Sequence, residues 1–246
     1  MVAKLIIRGI FVGIVAGLLA FGWAKTFGEP SVDIAIAYEG ALDEKAAQAD
    51  AAAGIPAPPE EPALVSREEQ SGLGLLTGTV GLGAGLGGLF GVLFAFGNGR
   101  MGSLGAGATS TVLAAIGFVT IYVVPAIKYP PSPPATSDDN TIALRTGLYF
   151  LMMAISVAAT FGALALRKRL AATMGWNGSA LAGVAYFVLI TAVVLILPPI
   201  SETPADFSAV TLWDFRTASF GIQAVLWMSL GVLFGMVSEM SAKKAR

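Results

Sequence analysis

The chain of 246 residues is 55% hydrophobic and only 13% charged, with a mean hydropathy of +0.75 and a formal net charge of −1. Soluble domains usually carry about 25% charged residues, so this composition excludes an ordinary soluble domain and indicates an integral membrane protein, while the balanced charge gives no reason to expect a nucleic-acid partner. Cysteine and histidine are both absent, which excludes disulfides, thiolate chemistry and histidine-based metal sites made by this chain alone.

Six apolar stretches are long enough to cross the hydrocarbon core of a bilayer as helices, which takes about 20 residues for roughly 30 Å. The sequence therefore predicts an all-α integral membrane protein with six transmembrane helices, arranged as three hairpins in a single polytopic domain (1–246). The predicted spans are Leu5–Ala24, Leu73–Phe96, Leu104–Ile127, Thr146–Leu166, Ala180–Leu197 and Thr217–Val237.

The charge pattern predicts the orientation of these spans. With the N-terminus placed in the cytoplasm, the inner segments hold nine of the fifteen basic residues and a single acid, Glu239, whereas the outer segments hold the other fifteen acids. Short cytoplasmic loops of membrane proteins are enriched in lysine and arginine. Both termini are therefore predicted to be cytoplasmic, and the outer face is predicted to be acidic.

Glycines recur at helical spacing in the first two spans. Small residues at a helix face let membrane helices approach closely, and this packing role is the preferred interpretation. The alternative is a helix that unwinds and offers backbone carbonyls to a passing cation. The glycines predicted to pack helices are Gly9, Gly13, Gly17, Gly83, Gly87 and Gly91.

The segment 25–72 is predicted to be a long acidic periplasmic loop, since it contains ten acidic and three basic residues. Its first part is compatible with a short helix on which Glu29 and Asp33, four residues apart, share one face. The stretch 46–66 is rich in alanine, proline and glutamate and is expected to be disordered or extended.

The two later outer loops repeat one pattern. Each leaves an apolar helix at a proline, passes through acids, and re-enters the membrane at an apolar residue followed by Arg-Thr, as in "LRT" (144–146) and "FRT" (215–217). The first loop repeats the scheme loosely and ends at Arg67, which is expected to lie in mobile, solvated chain.

Two arginines, Arg145 and Arg216, enter the membrane directly after these loops. One interpretation is that they form salt bridges with nearby acids such as Asp139 and Asp214 and lock the loops. The other is that they gate an acidic vestibule. Salt bridges are preferred, because interfacial ion pairs are common and require no function.

Four irregular stretches resemble the signature motifs of the CbtA family, the membrane subunit of a predicted bacterial cobalt transporter. They occur in the same order along nearly the whole chain and read "FGEPSVDIAIAYE" (27–39), "VPAIKYPPSPP" (124–134), "NTIALRTGLYFLM" (140–152) and "LWDFRTASFGIQAVLW" (212–227). The resemblance implies uptake of Co2+ as a substrate across the bacterial inner membrane, together with a small single-helix partner, CbtB, that carries the histidines this chain lacks. An enzyme is not expected, because without histidine or cysteine a nucleophile–base pair is possible only through carboxylates, and no tightly bound cofactor is expected.

The outer carboxylates are predicted to form an acidic mouth that collects divalent cations, because many carboxylates on one face raise the local cation concentration. Oxygen ligands alone do not select Co2+ over Mg2+, so selectivity is expected to depend on the partner's imidazoles. The vestibule candidates are Glu29, Asp33, Asp138, Asp139, Glu202 and Asp206.

A second function stays open on sequence grounds: a structural or assembly subunit that scaffolds a larger complex through its glycine faces. The acidic outer loops favour transport, whereas the absence of any ionisable residue near a bilayer midplane favours the scaffold. Beyond the lipid bilayer and the small partner, the sequence leaves open whether the chain also forms a homo-oligomer.

Overall fold

The computed structural model describes residues 2–56, 64–134, 136, 139–200 and 202–244; of Asp139 and Lys244 it describes only the backbone. In this part of the chain the regular structure is helical, with no strand. Six continuous helices are long and apolar enough to cross a membrane, which confirms the predicted number of spans. They are α1 (Val2–Ala52), α2 (Arg67–Gly97), α3 (Ala106–Lys128), α4 (Asp139–Met174), α5 (Trp176–Ile196) and α6 (Ala209–Lys244).

Single π-helical turns interrupt three of these helices, and two of the turns precede a proline. Ala24–Gly28 lies before Pro30 in α1, and Phe118–Val123 lies before Pro125 in α3. A proline lacks the backbone N–H, and its ring crowds the carbonyl four residues earlier. A π-helical turn adjusts the hydrogen-bond ladder at such a point, so both helices continue through their prolines.

Helix α1 is far longer than the predicted first span. Its 51 residues correspond to about 75 Å at the rise of an α-helix, so it extends well beyond the hydrocarbon core. Residues 46–52 are helical, although the sequence predicts disorder there. The reason is that alanine, glutamate, lysine and glutamine are the strongest helix formers, and the first proline of the stretch comes only at Pro56. Residues 57–63 of that stretch lie outside the described residues.

The described residues form two compact units. Unit 1 contains α1, α2, the first part of α3 as far as Ala115, the segment 132–137 and α6; unit 2 contains α3 from Ile116, α4 and α5 as far as Glu202. The boundary falls inside α3, which is one uninterrupted apolar stretch, so nothing in the sequence marks the division. Helices α5 and α6, which the sequence joins as a hairpin, belong to different units.

In unit 1, α1 and α2 cross in direct backbone contact. A Cβ atom added to Gly9 would lie 2.0 Å from the carbonyl oxygen of Gly87, and one added to Gly13 would lie 2.0 Å from that of Gly83. No side chain fits at such distances, and α2 remains helical as far as Gly97. Six glycines, each with a backbone atom of the other helix within 2.6 Å of its added Cβ, make this contact: Gly9, Gly13, Gly17, Gly83, Gly87 and Gly91.

Helix α6 completes unit 1 through aromatic packing. The ring of Phe234, which is fully buried, has its centroid 5.3 Å from that of Phe90 and 4.9 Å from that of Phe94. Near the N-terminus of the chain, Arg8 donates a hydrogen bond of 2.7 Å to the hydroxyl of Ser241. The first and last helices therefore share one end of unit 1.

Unit 2 has its own small core. Four hydroxyl groups between its helices are paired: Thr120 with Thr160 across 3.1 Å, and Ser156 with Tyr186 across 3.3 Å. Such pairing is expected at membrane depth, where no bulk water satisfies polar groups. The buried apolar cluster beside them consists of Val124, Tyr129, Met152, Ala159 and Ile190.

Candidate functional site

Arg67 joins the two carboxylates that the sequence places on one face of the first outer helix. Its guanidinium is ion-paired with both Glu29 and Asp33, with the Asp33 Oδ1 atom 2.8 Å from Nη2 and 3.0 Å from Nε. The side chain of Glu29 is only 12% exposed, whereas that of Asp33 is 62% exposed. The end of the first loop is thus fixed to α1 by ion pairs, and the Glu29 carboxylate in them is largely buried.

A capping box positions Arg67 for this bridge. The Ser66 hydroxyl accepts a hydrogen bond from the Glu69 backbone N–H, and the Glu69 carboxylate accepts one from the Ser66 backbone N–H. This reciprocal arrangement begins α2 at Arg67. The expectation that Arg67 lies in mobile, solvated chain is therefore wrong: it is the first residue of a helix and a junction between two helices.

Asp206 is held by a tyrosine rather than by an arginine. The Tyr38 hydroxyl donates a hydrogen bond of 2.7 Å to Asp206 Oδ1, and the Tyr38 ring packs edge-on against Phe207 with centroids 5.2 Å apart. This hydrogen bond lowers the pKa of the exposed Asp206 carboxyl below its ordinary value, and a nearby Lys45 charge adds to the effect. The contact fastens the chain before α6 to the C-terminal part of α1.

The carboxylate of Glu202, in unit 2, is almost fully enclosed. Its side chain is 7% exposed, and its two oxygens accept hydrogen bonds from the Thr141 hydroxyl and, at 3.3 Å, from Arg145 Nη1. Arg145 thus locks a loop through an ion pair, as the preferred interpretation states, but the partner is Glu202, which comes from a later loop. The side chain of Asp139, the partner suggested by proximity in the sequence, is not described.

Arg216 is half-buried near the start of α6, and Asp214 beside it is exposed. The Thr217 hydroxyl donates a hydrogen bond of 3.0 Å to the backbone carbonyl of Asp214, which fits the first turns of a helix. An ion pair between Arg216 and Asp214 stays a prediction.

The proline-rich segment after α3 is held by hydrogen bonds to backbone carbonyls. In unit 2 the Tyr129 hydroxyl donates to the carbonyl of Pro198 at 3.0 Å, and burial raises the pKa of this phenol. In unit 1 the fully buried Thr136 donates to the carbonyl of Pro133 at 2.7 Å. Asp138, which follows, lies outside the described residues.

The described residues contain no group of three or more acidic side chains that could hold a metal ion. Four vestibule candidates (Glu29, Asp33, Glu202 and Asp206) already accept hydrogen bonds from arginine, threonine or tyrosine side chains. A carboxylate beside a fixed arginine has part of its charge neutralised. These carboxylates therefore suit a structural role, although part of the negative charge remains on them, since Arg67 faces two carboxylates and the partner of Asp206 is a neutral tyrosine.

Further negative charge lies on exposed acids in the C-terminal part of α1. Glu39, Asp43 and Asp50 are exposed and form no ion pair with another described residue. Tyr38 and Glu39 fall within the motif at 27–39, but that motif assigns them no role, and no pattern in the sequence marks Asp43 or Asp50. For Arg67, in contrast, a signal exists: "SREE" (66–69) is a capping-box pattern and indicates a helix that begins at the arginine.

Comparison with protein families gives one match. The family model described as "Probable cobalt transporter subunit (CbtA)" covers residues 2–239, which is nearly the whole chain. Comparisons with curated proteins and with solved structures gave no significant match. The length of the family match, together with six apolar helices and the acidic segments between them, shows that this chain is a multi-pass membrane protein of the CbtA family, the probable cobalt transporter subunits.

Proposed function

We propose that the chain carries Co2+ into the cell across the bacterial inner membrane, as the multi-span subunit of a transporter whose small single-helix partner supplies histidine ligands. The observation that carries this proposal is the family match over residues 2–239. The chain itself supports the need for a partner, because it contains no histidine and its described part contains no acidic cluster fit for a metal. Imidazole suits Co2+ better than carboxylate oxygen alone.

The acidic outer segments have an electrostatic role in this proposal. Segment 25–72 carries ten acids against three bases, and three of its exposed acids on α1 have no ion-pair partner among the described residues. Such a surface raises the local concentration of divalent cations without selecting among them. The carboxylates bound to Arg67 and Arg145 hold the loops in place, and Asp138 and Asp139 are proposed to add to the attraction.

Cobalt uptake in cells tests the proposal directly. Accumulation of radiolabelled Co2+ is measured at limiting external metal in cells that express this chain alone, the small partner alone, or both. Uptake only in cells with both proteins supports the proposal. Faster loss of preloaded Co2+ in those cells identifies an exporter, and unchanged cobalt in all three strains rules out transport by this pair.

The proposed orientation places both termini in the cytoplasm. Hydrogen bonds between Arg8 and Ser241 support termini on the same side. A cysteine introduced at Ser208 or Ala47, both exposed, is expected to react with an impermeant thiol reagent in cells whose outer membrane has been opened, whereas one at Ser103 is expected to remain unlabelled. The reverse pattern inverts the orientation and assigns the acidic face to the cytoplasm.

The scaffold alternative loses its main support in unit 1. It requires glycine faces that are available to other proteins, but the six contact glycines of α1 and α2 (Gly9, Gly13, Gly17, Gly83, Gly87 and Gly91) already pack against each other with no room for a side chain. The use of these glycines within the chain supports transport over the scaffold.

A further inference from the structure

A groove runs along one side of the α4–α5 hairpin in unit 2. Its volume is about 410 Å³, and its lining residues are aliphatic apart from one glycine and one tyrosine. The hydroxyl of Tyr186, the one polar side chain of the lining, is paired with Ser156. The main lining residues are Ile155, Ala158, Gly162 and Leu166 on α4, and Ala185 and Leu189 on α5.

The groove begins beyond a close contact between the two helices, where both helices carry small residues. A Cβ atom on Gly178, near the start of α5, would lie 2.5 Å from the carbonyl oxygen of Leu170, so the backbones are in contact there. Beyond this contact small residues line both helices, and a Cβ atom on Gly162 would meet no atom within 4 Å. The space between the helices is therefore open along the side that faces the groove.

A basic cluster follows at the end of the groove. Arg167, Lys168 and Arg169 come directly after Leu166, and all three are exposed. Arg169 continues the groove face, since it lies three residues beyond Leu166, whereas Lys168 is turned about 200° away from Leu166 around the helix. Within the described part of the chain, Arg169 forms no ion pair. Trp176, which is 83% exposed, begins α5 at the same end, and exposed tryptophans are typical of the lipid headgroup region.

We propose that this groove binds one phospholipid with an anionic headgroup, with an acyl chain along the small residues and the headgroup phosphate at Arg169. The occupant follows from charge complementarity. An apolar groove that ends at a guanidinium without an ion-pair partner matches a molecule that is apolar along its length and anionic at its end. Basic pockets between membrane helices bind such headgroups, and guanidinium matches phosphate geometry well.

Lipid retention by the purified full-length protein tests the headgroup contact. The protein in detergent is incubated with equal amounts of phosphatidylglycerol and phosphatidylcholine, and bound lipid is counted by native mass spectrometry. Phosphatidylglycerol is expected to be retained preferentially, and Arg169→Gln is expected to reduce its retention about fivefold, the factor for one basic side chain near a lipid phosphate. Lys168→Gln, which makes the same charge change on the opposite face, is expected to have no effect. Equal retention of both lipids, or equal losses in both variants, overturns the proposal.

A second pair of variants tests the acyl-chain position. Gly162→Leu fills the groove, and Gly147→Leu adds the same side chain to α4 outside it; an added Cβ meets no atom within 4 Å at either position, so the two substitutions start from equally open sites. Retention of both lipids is expected to fall in the first variant only. Undiminished retention by Gly162→Leu contradicts the proposed position.

Crosslinking in cells identifies the occupant independently of these variants. A photoreactive residue in place of Ala158 is expected to give an adduct with the mass of a phospholipid. An adduct with another membrane protein shows that a partner helix occupies the groove instead, and a crosslinked dimer shows that a second copy does; either result overturns the proposal.

Discussion

Arg145 and Glu202 form an ion pair of 3.3 Å between residues that lie 57 positions apart in the sequence. The Glu202 side chain is 7% exposed and also accepts a hydrogen bond from Thr141. Because a buried charge without a partner is costly, the loop after α5 depends on the arginine at the start of α4.

We therefore expect Arg145→Ala to lower the midpoint of thermal unfolding of the purified protein, at a cost of about 1–3 kcal/mol for the buried carboxylate that is left without its partner. Part of the effect is screened, since the arginine side chain is itself 25% exposed. Adding Glu202→Gln is expected to restore much of the loss, because the amide carries no charge to be stranded. An unchanged midpoint in Arg145→Ala contradicts the importance of this pair.

Arg67 is expected to matter at least as much, although the sequence assigns it the smaller role. Arg67→Ala removes the partner of two carboxylates at once, and Glu29 is only 12% exposed. The expected result is faster limited proteolysis of segment 53–66 together with a lower unfolding midpoint. Lys25→Ala is the matched control, because Lys25 makes only an exposed hydrogen bond to Ser71. If the two variants behave alike, the bridge adds no stability.

Changing Asp138→Asn and Asp139→Asn together is expected to lower cobalt uptake at limiting external metal and to leave it normal at excess metal. The physical reason is lost attraction at the outer face, and higher ionic strength is expected to reduce the defect because salt screens that attraction. The charge-preserving change of both residues to glutamate serves as the control. If the Asn variant takes up cobalt normally at limiting metal and equal protein levels, these aspartates have no electrostatic role and only form a turn.

The hydrogen bond from Tyr38 predicts a pH dependence for Asp206. Since the bond lowers the folded-state pKa of this carboxyl, its stabilising effect is present above the unfolded pKa of about 3.9 and is lost as pH falls through the lower folded value. Wild type is therefore expected to be more stable than Tyr38→Phe at neutral pH, with a difference that shrinks below about pH 4. Unfolding midpoints measured between pH 3 and 7 give the comparison; a constant difference shows that the Tyr38 hydroxyl acts independently of the charge on Asp206.

Glycine substitutions are expected to separate contact positions from neighbouring open ones. Gly87→Ala places a Cβ atom 2.1 Å from the carbonyl oxygen of Gly9, whereas a Cβ at Gly85, on the same helix, meets nothing within 4 Å. The first change is expected to destabilise the protein strongly, and the second to be neutral or slightly stabilising because alanine is the better helix former. Protein yield in the membrane and the unfolding midpoint provide the measurements.

The elements that composition and spacing determine could be predicted from the sequence. An apolar stretch of about 20 residues specifies a span, and glycines four residues apart mark a close helix contact, so the six spans and the faces around Gly13 and Gly87 follow directly. Helix propensity alone predicts the extension of α1 to Ala52. The low-complexity composition of the same stretch predicts disorder instead, and that prediction is the wrong one for residues 46–52.

The partners of the charged residues could not be predicted. Several acids lie within reach of each outer arginine along the chain, and the tertiary fold alone selects Glu202 for Arg145 and brings Glu29 to Arg67. The division into two units inside α3 could not be predicted either, because hydropathy indicates that a residue lies in the membrane but not which neighbour it contacts.

The backbone contact between α1 and α2 also sets an order of assembly during synthesis. Both helices are complete before the rest of the chain is made, and their glycine faces need no third element to fit together. The pair of helices is therefore available to form first. Until α6 is made, the rings of Phe90 and Phe94 on this pair lack their contact with Phe234. Phe234 reaches these rings only when α6, the last helix, leaves the ribosome. Unit 1 is therefore complete only after the chain of unit 2 has been synthesised, and a ribosome that stalls before α6 leaves the first pair without its final helix.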